Sequence, residues 1–490
     1  MLRTRWGYAL VVLLLLRLGL LAIAQAFPEG GVIVDSRAYL EMASDLKQAG
    51  WAGIDQSELH WTPGYPAFLV LAEGLTRTTL VGVGLAQLIL TGAAAIALWS
   101  IGARLGDARA GMAAAWLYGL SPSAALWSLT IMSESLFAFL LVTALALWVR
   151  TLTGGRAIGG LLAGMTLGAA ALVRPIGIPL LLLWAILGLK AESPSSRRAS
   201  RVLRTGLFVV GSVALLGLWL IRNWSVTGRP VFAMVPEDTL VRFNLAYVVA
   251  EAEGISRDEA AARLTSTVDS WDDGLAIVRR YPVVFLKQQW LGIRRSITGV
   301  ESGVWARQLG YGLERQGSLE ILSTLLAGEP VQALDRLRSL LQDPETALLT
   351  SLAALALLHT AIVYFLDVPG VISVLRRRGM VRAIYVLVIL TILLLLVLPG
   401  AAGQARFRIP AEPFLALIAG AGASALIEDA RRRWTLRSDR GREEGHPASR
   451  RSRSEVIAPL IHRHGVAWLP HGVGLRRIER SLMYNSRARG

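Results

Sequence analysis

Long uncharged apolar runs alternate with short polar or basic segments along most of the chain. Because about twenty apolar residues in a helix cross the hydrocarbon of a bilayer, such runs predict membrane spans. The pattern predicts an all-α, polytopic protein with about ten spans, each bounded to within a few residues. The predicted spans are Trp6–Phe27, Thr79–Ile101, Ala110–Leu120, Glu134–Val149, Ala157–Leu172, Ile176–Leu189, Thr205–Ile221, Thr346–Leu366, Val381–Leu398 and Pro413–Ile427.

Two long segments between the spans carry more polar residues. The first, Pro28–Thr78, includes the apolar stretch Pro63–Arg77, which is short and therefore predicts a helix lying at the membrane interface. The second, Arg222–Glu345, is predicted to contain helical pieces, since Ser256 and Glu259 have the spacing of a capping box. We therefore expect juxtamembrane helices in the first segment and a helical cover in the second.

The two ends of the chain differ in character. The apolar run after Met1–Arg5 continues too far for a signal peptide and shows no small-residue cleavage pattern before Phe27, which predicts an uncleaved first span. The segment Glu428–Gly490 is rich in arginine and has little apolar periodicity. It predicts a basic, partly disordered cytoplasmic tail that comes after a membrane domain formed by residues 1–427.

Composition and charge narrow the class of protein. Hydrophobic residues make up 53% of the chain, charged residues 18%, and the mean hydropathy is +0.49, so the apolar surface exceeds what a water-soluble core can bury. The net charge is +16, but the basic residues flank apolar runs. They predict topology and contact with anionic lipid rather than binding of nucleic acid. The absence of cysteine excludes disulfides and thiolate metal sites.

Short loops that are rich in lysine and arginine stay on the cytoplasmic side of a membrane. With about ten spans, the basic clusters fall on one side, and both chain ends are then cytoplasmic in a bacterial inner membrane. The loop between Leu120 and Glu134 has no basic residue, as expected of an outer loop. The basic residues used for this orientation are Arg3, Arg5, Arg104, Arg109, Arg150, Arg156, Lys190, Arg197, Arg198, Arg201, Arg204, Arg376–Arg378 and Arg431–Arg433.

Few ionisable residues lie at mid-span, and Arg17 and His359 are the main ones. Most of those that flank spans on the predicted outer side, where lipid phosphates and sugars reside, fall in four short stretches. Asp35 comes directly after the first span and is a candidate general base. It is also a candidate N-cap of a helix over Ser36–Ala49, and the two roles are compatible. Tyr39 belongs to the apolar stripe of that helix. We assign no role to Arg17, and we interpret His359 as a packed, hydrogen-bonded histidine rather than a ligand.

Three further outer stretches carry candidate site residues. His60, Trp61 and Tyr65 lie in an aromatic, proline-rich turn and are either substrate contacts or interfacial anchors. Glu134 opens a span, where it is either a second acid or a favourable charge at a helix N-terminus. The basic group is Arg174, Arg222, Arg406 and Arg408, whose guanidinium groups suit phosphate oxygens. Flanking charge is the alternative for the four arginines, although three of them lie in short outer loops.

In their order along the chain, these residues resemble the GT-C superfamily of membrane glycosyltransferases, and especially bacterial relatives of the protein O-mannosyltransferases and of the lipid A aminoarabinose transferase. The resemblance covers about Trp6–Ala425. Each motif is unspecific alone, and the order of the motifs carries the resemblance. The motifs are Asp35 with Tyr39, Trp61–Pro66, Ser121-Pro122 before Ser133-Glu134, Leu172–Pro175, Ile221–Trp224 with Thr227-Gly228 and Asn244-Leu245, Arg279–Pro282 and Arg406–Pro410.

The resemblance implies a polyprenyl-phosphate-sugar donor and an extracytoplasmic active site. Asp35 matches the family's acid in the first outer loop, and Glu134 matches the second acid, where the family often has Asp. Ser36 comes after Asp35 where some relatives have a second acid, so a divalent metal ion stays an open question. With no large soluble C-terminal domain to bind an acceptor peptide, we expect no oligosaccharyltransferase role. The alternatives are a transporter of lipid-linked sugar or polysaccharide, and a non-enzymatic scaffold.

Overall fold

The computed structural model describes the greater part of the chain and is helical throughout its regular structure; no strand occurs in the described ranges. The predicted all-α class is confirmed. Most of the predicted first span and residues 445–490 of the predicted tail lie outside these ranges. The chain divides into two units, residues 1–428 and 429–490. The described residues are 15, 17–19, 21–22, 28–52, 60–76, 79–190, 198–233, 239–268, 271–300, 302–310, 330–342 and 344–444.

The α-helices with described bounds are numbered α1 to α18 in chain order. The first nine are α1 Val34–Ala49, α2 Gly64–Thr76, α3 Thr79–Arg104, α4 Ala108–Gly119, α5 Pro122–Ser128, α6 Glu134–Leu152, α7 Ile158–Val173, α8 Gly177–Lys190 and α9 Arg198–Thr227. The others are α10 Ala246–Glu253, α11 Arg257–Thr267, α12 Trp271–Arg280, α13 Pro282–Thr298, α14 Ser302–Gln308, α15 Pro330–Gln342, α16 Pro344–Arg376, α17 Gly379–Val397 and α18 Glu412–Glu444. Short 3₁₀ helices cover Pro28–Gly31, Gly50–Ala52, Gly400–Ala402 and Ala405–Ala411, and a π-helix covers Thr239–Leu245.

The described helices make the chain a membrane protein. Six helical segments are long and apolar enough to cross a bilayer, namely 80–104, 134–152, 198–227, 346–376, 379–397 and 405–436. Helices α7 and α8 are apolar but shorter. Every predicted span from Thr79 onward falls on one of these helices or on α4, while the count of about ten spans stays a prediction.

One helix extends well beyond the span predicted for it. The predicted span ends at Leu366, and α16 continues to Arg376 with Pro369 inside it. Gly370, next to the proline, allows α16 to pack closely against α18, since a side chain at this position would meet the backbone of Ile418. Close backbone packing between helices therefore outweighs the local tendency of proline to end a helix.

Small residues set the packing of α7 against α9. Gly160, Gly164 and Gly168 recur every four residues on one face of α7, and a side chain at each would meet the α9 backbone. The Ser212 hydroxyl of α9 also donates a hydrogen bond to the Gly164 carbonyl, at 3.1 Å. This is the close approach that small residues permit between apolar helices in lipid. Helix α7 ends at Val173, and Arg174 is extended because Pro175 follows it.

The long second polar segment folds into short helices, α10 to α15, as expected in outline. The Ser256 hydroxyl accepts a hydrogen bond from the Glu259 backbone amide at 3.1 Å, so the predicted helix start is confirmed at the N-cap of α11. Leu245, Val249 and Leu264 form a small apolar cluster of their own. The part of the segment around α10 and α11 therefore has a small apolar core of its own.

Candidate active site

A tight turn at the start of α1 fixes the position of Asp35. The Ile33 amide donates to the Ser36 hydroxyl at 3.0 Å, and that hydroxyl donates to the Ile131 carbonyl at 2.8 Å. The Ile131 amide in turn donates to the Gly31 carbonyl at 2.9 Å. The N-cap is thus Ile33, so the interpretation of Asp35 as the cap is wrong; the helix begins earlier and Asp35 lies in its first turn.

Asp35 pairs with an arginine from the far end of the chain. Arg406 Nη1 lies 2.8 Å from Asp35 Oδ2, and the two side chains are 22% and 24% exposed. Arg406 belongs to the 3₁₀ helix that links α17 to α18. The pair is therefore accessible at one end of the helix bundle, with the carboxylate held but not enclosed.

A second acid–base pair lies between α6 and α7. Arg174 Nη1 lies 2.5 Å from Glu134 Oε1 and also donates to the Ser133 hydroxyl at 3.1 Å. Glu134 is fully buried at the first position of α6, whereas Arg174, the C-cap of α7, is partly exposed. The helix N-terminus and the guanidinium both place positive charge beside this buried carboxylate.

Phe407 joins the two pairs into one cluster. The Arg174 guanidinium carbon lies 5.6 Å from the centre of the Phe407 ring, and that of Arg406 lies 5.1 Å from the same ring. Both distances fall within the range of cation–π attraction. We call Asp35, Glu134, Arg174, Arg406 and Phe407 the site cluster; it contains two carboxylates and two guanidinium groups.

Aromatic rings pack beside the site cluster. Tyr39 is buried, its ring centre lies 4.9 Å from those of Trp61 and Tyr65, and its hydroxyl lies 3.5 Å from the Ser133 hydroxyl. Burial raises the pKa of Tyr39 to about 12, so its phenol is neutral at physiological pH. The His60 ring stacks edge-on against Trp61 at 4.9 Å. Tyr39 and Tyr65 are enclosed, while Trp61 and His60 remain partly exposed.

Arg222 does not join the site cluster. Its Nε and Nη2 donate to the Trp51 carbonyl at 3.2 and 2.9 Å, just after the end of α1. Asp35 is at the opposite end of α1, and fourteen residues at a rise of about 1.5 Å each separate it from Ala49 by roughly 21 Å. The structure therefore separates Arg222 from the site that the other outer residues form.

Arg408 also faces away from the site cluster. It is buried, and its Nη1 donates to the Ile297 and Gly299 carbonyls at 2.8 and 3.2 Å, while Nε lies 3.3 Å from Glu412. The Ser121 hydroxyl donates to the same carboxylate at 2.6 Å. These contacts hold the end of α13 against α18, which is a structural use of the guanidinium.

The sequence pattern does not reveal a polar cluster between the apolar helices. His359 Nε2 donates to the Leu117 carbonyl at 2.8 Å, which confirms the interpretation of this residue as packed and hydrogen-bonded. Arg17 is buried and donates to the Gly119 carbonyl at 2.8 Å. His359 lines a small cavity together with Tyr118, Arg408 and Glu412. Both carbonyls belong to the last turn of α4, which ends just before Ser121 and Pro122 begin α5. The predicted span end at Leu120 marks this break, but it does not show which side chains reach these carbonyls.

No group of three or more His, Asp or Glu residues within the described ranges is placed to hold a metal ion. In the site cluster, the two acids Asp35 and Glu134 each face an arginine, and Ser36 is engaged with Ile131. Both carboxylates of the site cluster are therefore already paired with guanidinium groups.

No model of a known protein family matches the sequence, and a comparison with curated proteins finds no match. Among solved structures, the chain is similar to the oligosaccharyltransferase of Archaeoglobus fulgidus tethered with an acceptor peptide, with 14% identity and a TM-score of 0.43 over 76% of this chain and 42% of that one. It is also similar to the archaeal oligosaccharyltransferase from the same organism in complex with an inhibitory peptide and a dolichol-phosphate, with 15% identity and a TM-score of 0.41 over 79% and 44%. The chain thus spans less than half the length of these relatives, and the expectation of no oligosaccharyltransferase role stays a prediction.

Proposed function

We propose that this protein is a membrane glycosyltransferase of GT-C type that moves a sugar from a polyprenyl-phosphate donor to an acceptor on the outer side of a bacterial inner membrane. The observation that carries the proposal is the site cluster at one end of the bundle. It brings an accessible carboxylate, Asp35, to within 2.8 Å of Arg406 and next to a second guanidinium, Arg174, across the Phe407 ring. Such a set suits a substrate that has both a phosphate and a reacting hydroxyl.

The donor phosphate is assigned to the two guanidinium groups. A sugar linked through a phosphodiester has one negative charge, which becomes two when the phosphate departs. Arg406 and Arg174 are partly exposed and offer paired N–H donors, so they stabilise the departing phosphate more strongly than the bound ester. Arg222 and Arg408 are left out of this assignment, because one lies at the far end of α1 and the other is enclosed by carbonyl groups and Glu412.

Asp35 is assigned the role of general base. Its Oδ2 is held by Arg406, while the side chain stays 24% exposed and so accessible to an acceptor. In a single inverting displacement, the acceptor hydroxyl or amine attacks the anomeric carbon, the carbon–oxygen bond to phosphate breaks, and the acceptor proton passes to Asp35. The products are the glycosylated acceptor, the free polyprenyl phosphate and a protonated Asp35, which returns its proton to water.

Glu134 takes a positioning role in this proposal rather than contacting the substrate. The carboxylate is fully buried and holds Arg174 through a 2.5 Å pair. Tyr39 and Tyr65 are likewise enclosed and support α1 and α2, whereas His60 and Trp61 remain accessible and are assigned to substrate contact. The cluster lies at the end opposite the Arg377–Asp107 pair, which the basic loops assign to the cytoplasmic side.

One observation favours a second candidate function. Arg17 and Arg408 are buried, and the half-buried His359 and Glu412 line one cavity with Arg408. This cluster lies among apolar helices, where ionisable groups often mark transport pathways. A transporter of lipid-linked sugar would use this cluster to carry its substrate across the membrane without consuming it. Donor binding without donor consumption would therefore favour the transporter.

The test is turnover by the purified full chain in nanodiscs. The protein is given a panel of polyprenyl-phosphate sugars and of lipid, glycan and peptide acceptors, and mass spectrometry detects the released carrier and the glycosylated product. Asp35→Asn and the matched control Asp45→Asn, about three turns further along α1, are assayed beside it. We expect carrier release by the native protein and by Asp45→Asn, and its loss in Asp35→Asn. Donors that bind but are never consumed by the native protein would contradict the proposal.

A further inference from the structure

Helix α13 lies outside the apolar bundle and presents two unlike faces. One face carries Gln288, Gly292 and Ser296, which recur every four residues and are buried. A side chain at Gly292 would meet the backbone at Gly400, directly after α17. Arg295 also donates to the Ala401 and Gly403 carbonyls, at 2.5 and 3.1 Å. These contacts fix α13 where a helix of the bundle ends, which is the level of a membrane boundary.

The opposite face of α13 is apolar and uncovered. Val283, Leu286 and Trp290 are 77%, 67% and 62% exposed. At about 100° per residue, these three side chains lie roughly opposite the buried face. We call them the apolar face of α13. Three large apolar side chains on one exposed helix face, outside any predicted span, require a partner that removes them from water.

The charges around this face indicate what kind of partner covers it. Lys287 and Arg294 are exposed on α13, and Arg279 and Arg280 are exposed just before it. Lys287 also forms an ion pair with Glu251 of α10. A helix with apolar and tryptophan residues on one face and basic residues at its flanks is typical of helices that lie in the headgroup region of an anionic membrane.

We propose that α13 is an interfacial helix whose apolar face is buried in the headgroup layer of the membrane, with Arg280 and Arg294 on anionic lipid phosphates. The proposal is independent of the glycosyltransferase assignment, since it concerns only where the helix lies. It has a consequence for the fold, because Arg408 donates to carbonyls at the end of α13 and Arg295 holds the segment before Arg406. Contact of α13 with lipid would thus stabilise the position of the 3₁₀ helix Ala405–Ala411, which carries Arg406.

The absence of cysteine makes the test direct, because each engineered thiol is the only one in the chain. Leu286→Cys and Trp290→Cys are labelled with a nitroxide in the full chain, reconstituted in vesicles of phosphatidylcholine with or without phosphatidylglycerol. Collisions with oxygen, which concentrates in lipid, and with a water-soluble nickel chelate are measured by electron paramagnetic resonance. Thr265→Cys on polar α11 is the aqueous reference, and Leu393→Cys on the exposed side of α17 is the bilayer reference.

We expect the oxygen-to-nickel collision ratio at positions 286 and 290 to be several-fold above that at 265 and below that at 393. The ratio should rise with phosphatidylglycerol, and Arg280→Gln with Arg294→Gln should abolish that rise. A ratio equal to that at 265, or protection from both reagents as in a protein–protein contact, would overturn the proposal. A ratio insensitive to phosphatidylglycerol would overturn the assignment to anionic lipid. Elution of each labelled protein as the native species controls for folding.

Discussion

Arg406 and Asp35 lie 371 positions apart in the sequence, and their side chains form an ion pair with 2.8 Å between Nη1 and Oδ2. The pair joins α1 to the linker that precedes α18. In the proposed reaction, each partner serves a different substrate group: Arg406 the donor phosphate and Asp35 the acceptor proton. The pair therefore places the binding sites for the donor phosphate and the acceptor side by side. It also keeps both side chains in position in the absence of substrate.

Removal of the Arg406 charge is expected to weaken donor binding and slow transfer. A hydrogen bond to a charged group contributes about 1.5–3 kcal/mol, so Arg406→Gln should lower kcat/KM for the donor by about 10- to 150-fold. Steady-state kinetics with varied donor measures this. Arg263→Gln, an exposed arginine of α11, is the matched control and should behave as the native protein. Equal kcat/KM values in both variants would remove Arg406 from the site.

The buried Glu134–Arg174 pair should behave differently from the partly exposed Asp35–Arg406 pair. Loss of one member of a buried ion pair costs about 3–5 kcal/mol, because the other charge stays uncompensated. Glu134→Gln should therefore lower the thermal unfolding temperature of the detergent-solubilised protein, and Glu134→Gln with Arg174→Met should recover much of the loss. The double variant should stay inactive, since it lacks one phosphate ligand. Recovery of transfer in the double variant would show that Arg174 has no role beyond stability.

Phe407 is expected to act through the two arginines that flank it. Cation–π contacts contribute about 0.5–2 kcal/mol, so Phe407→Leu should raise the KM for the donor several-fold, with a smaller effect on the acceptor KM. Phe407→Trp keeps an aromatic face and should recover the native donor KM. If leucine and tryptophan have the same effect, the ring only fills space.

Glycine packing between α7 and α9 should be sensitive to side-chain size. A side chain at Gly164 would meet the backbone of Phe208, so Gly164→Val should separate the helices, displace Arg174 and lower both the unfolding temperature and the activity. Gly206→Val is the control, because its position on α9 opens onto empty space. Similar unfolding temperatures for the two variants would mean that the α7–α9 contact is loose in solution.

Helices are predicted well from this sequence, and their contacts are predicted poorly. Spans such as α3 and α17 are readable because each requires a continuous apolar surface, which leaves a pattern in the sequence. The pairing of Asp35 with Arg406 leaves no such pattern, since hydropathy gives neither the order of the helices around the bundle nor their rotation. The helix start at Val34 is equally hidden, because the Ser36 hydroxyl that accepts from the Ile33 amide is itself held by the Ile131 carbonyl, almost a hundred positions away.

The two arginines of the last linker illustrate the same limit. Arg406 and Arg408 look equivalent in the sequence, which predicts that both bind phosphate. In the 3₁₀ helix Ala405–Ala411, however, residues two positions apart point in directions that differ by about 120°. Arg406 therefore reaches Asp35 while Arg408 is enclosed by α13 and α18, and Phe407 between them contacts a second arginine. None of these directions can be read from the order of residues alone.

The central claim is that Asp35 is the general base of sugar transfer, and separate measurement of donor binding and turnover in Asp35→Asn tests it most directly. The donor identified with the native protein is titrated into the variant in nanodiscs, and carrier release is monitored under single-turnover conditions with saturating acceptor. We predict that the variant binds the donor within a few-fold of the native affinity and releases no carrier, with Asp45→Asn behaving as native. Carrier release by Asp35→Asn at the native rate would contradict the account.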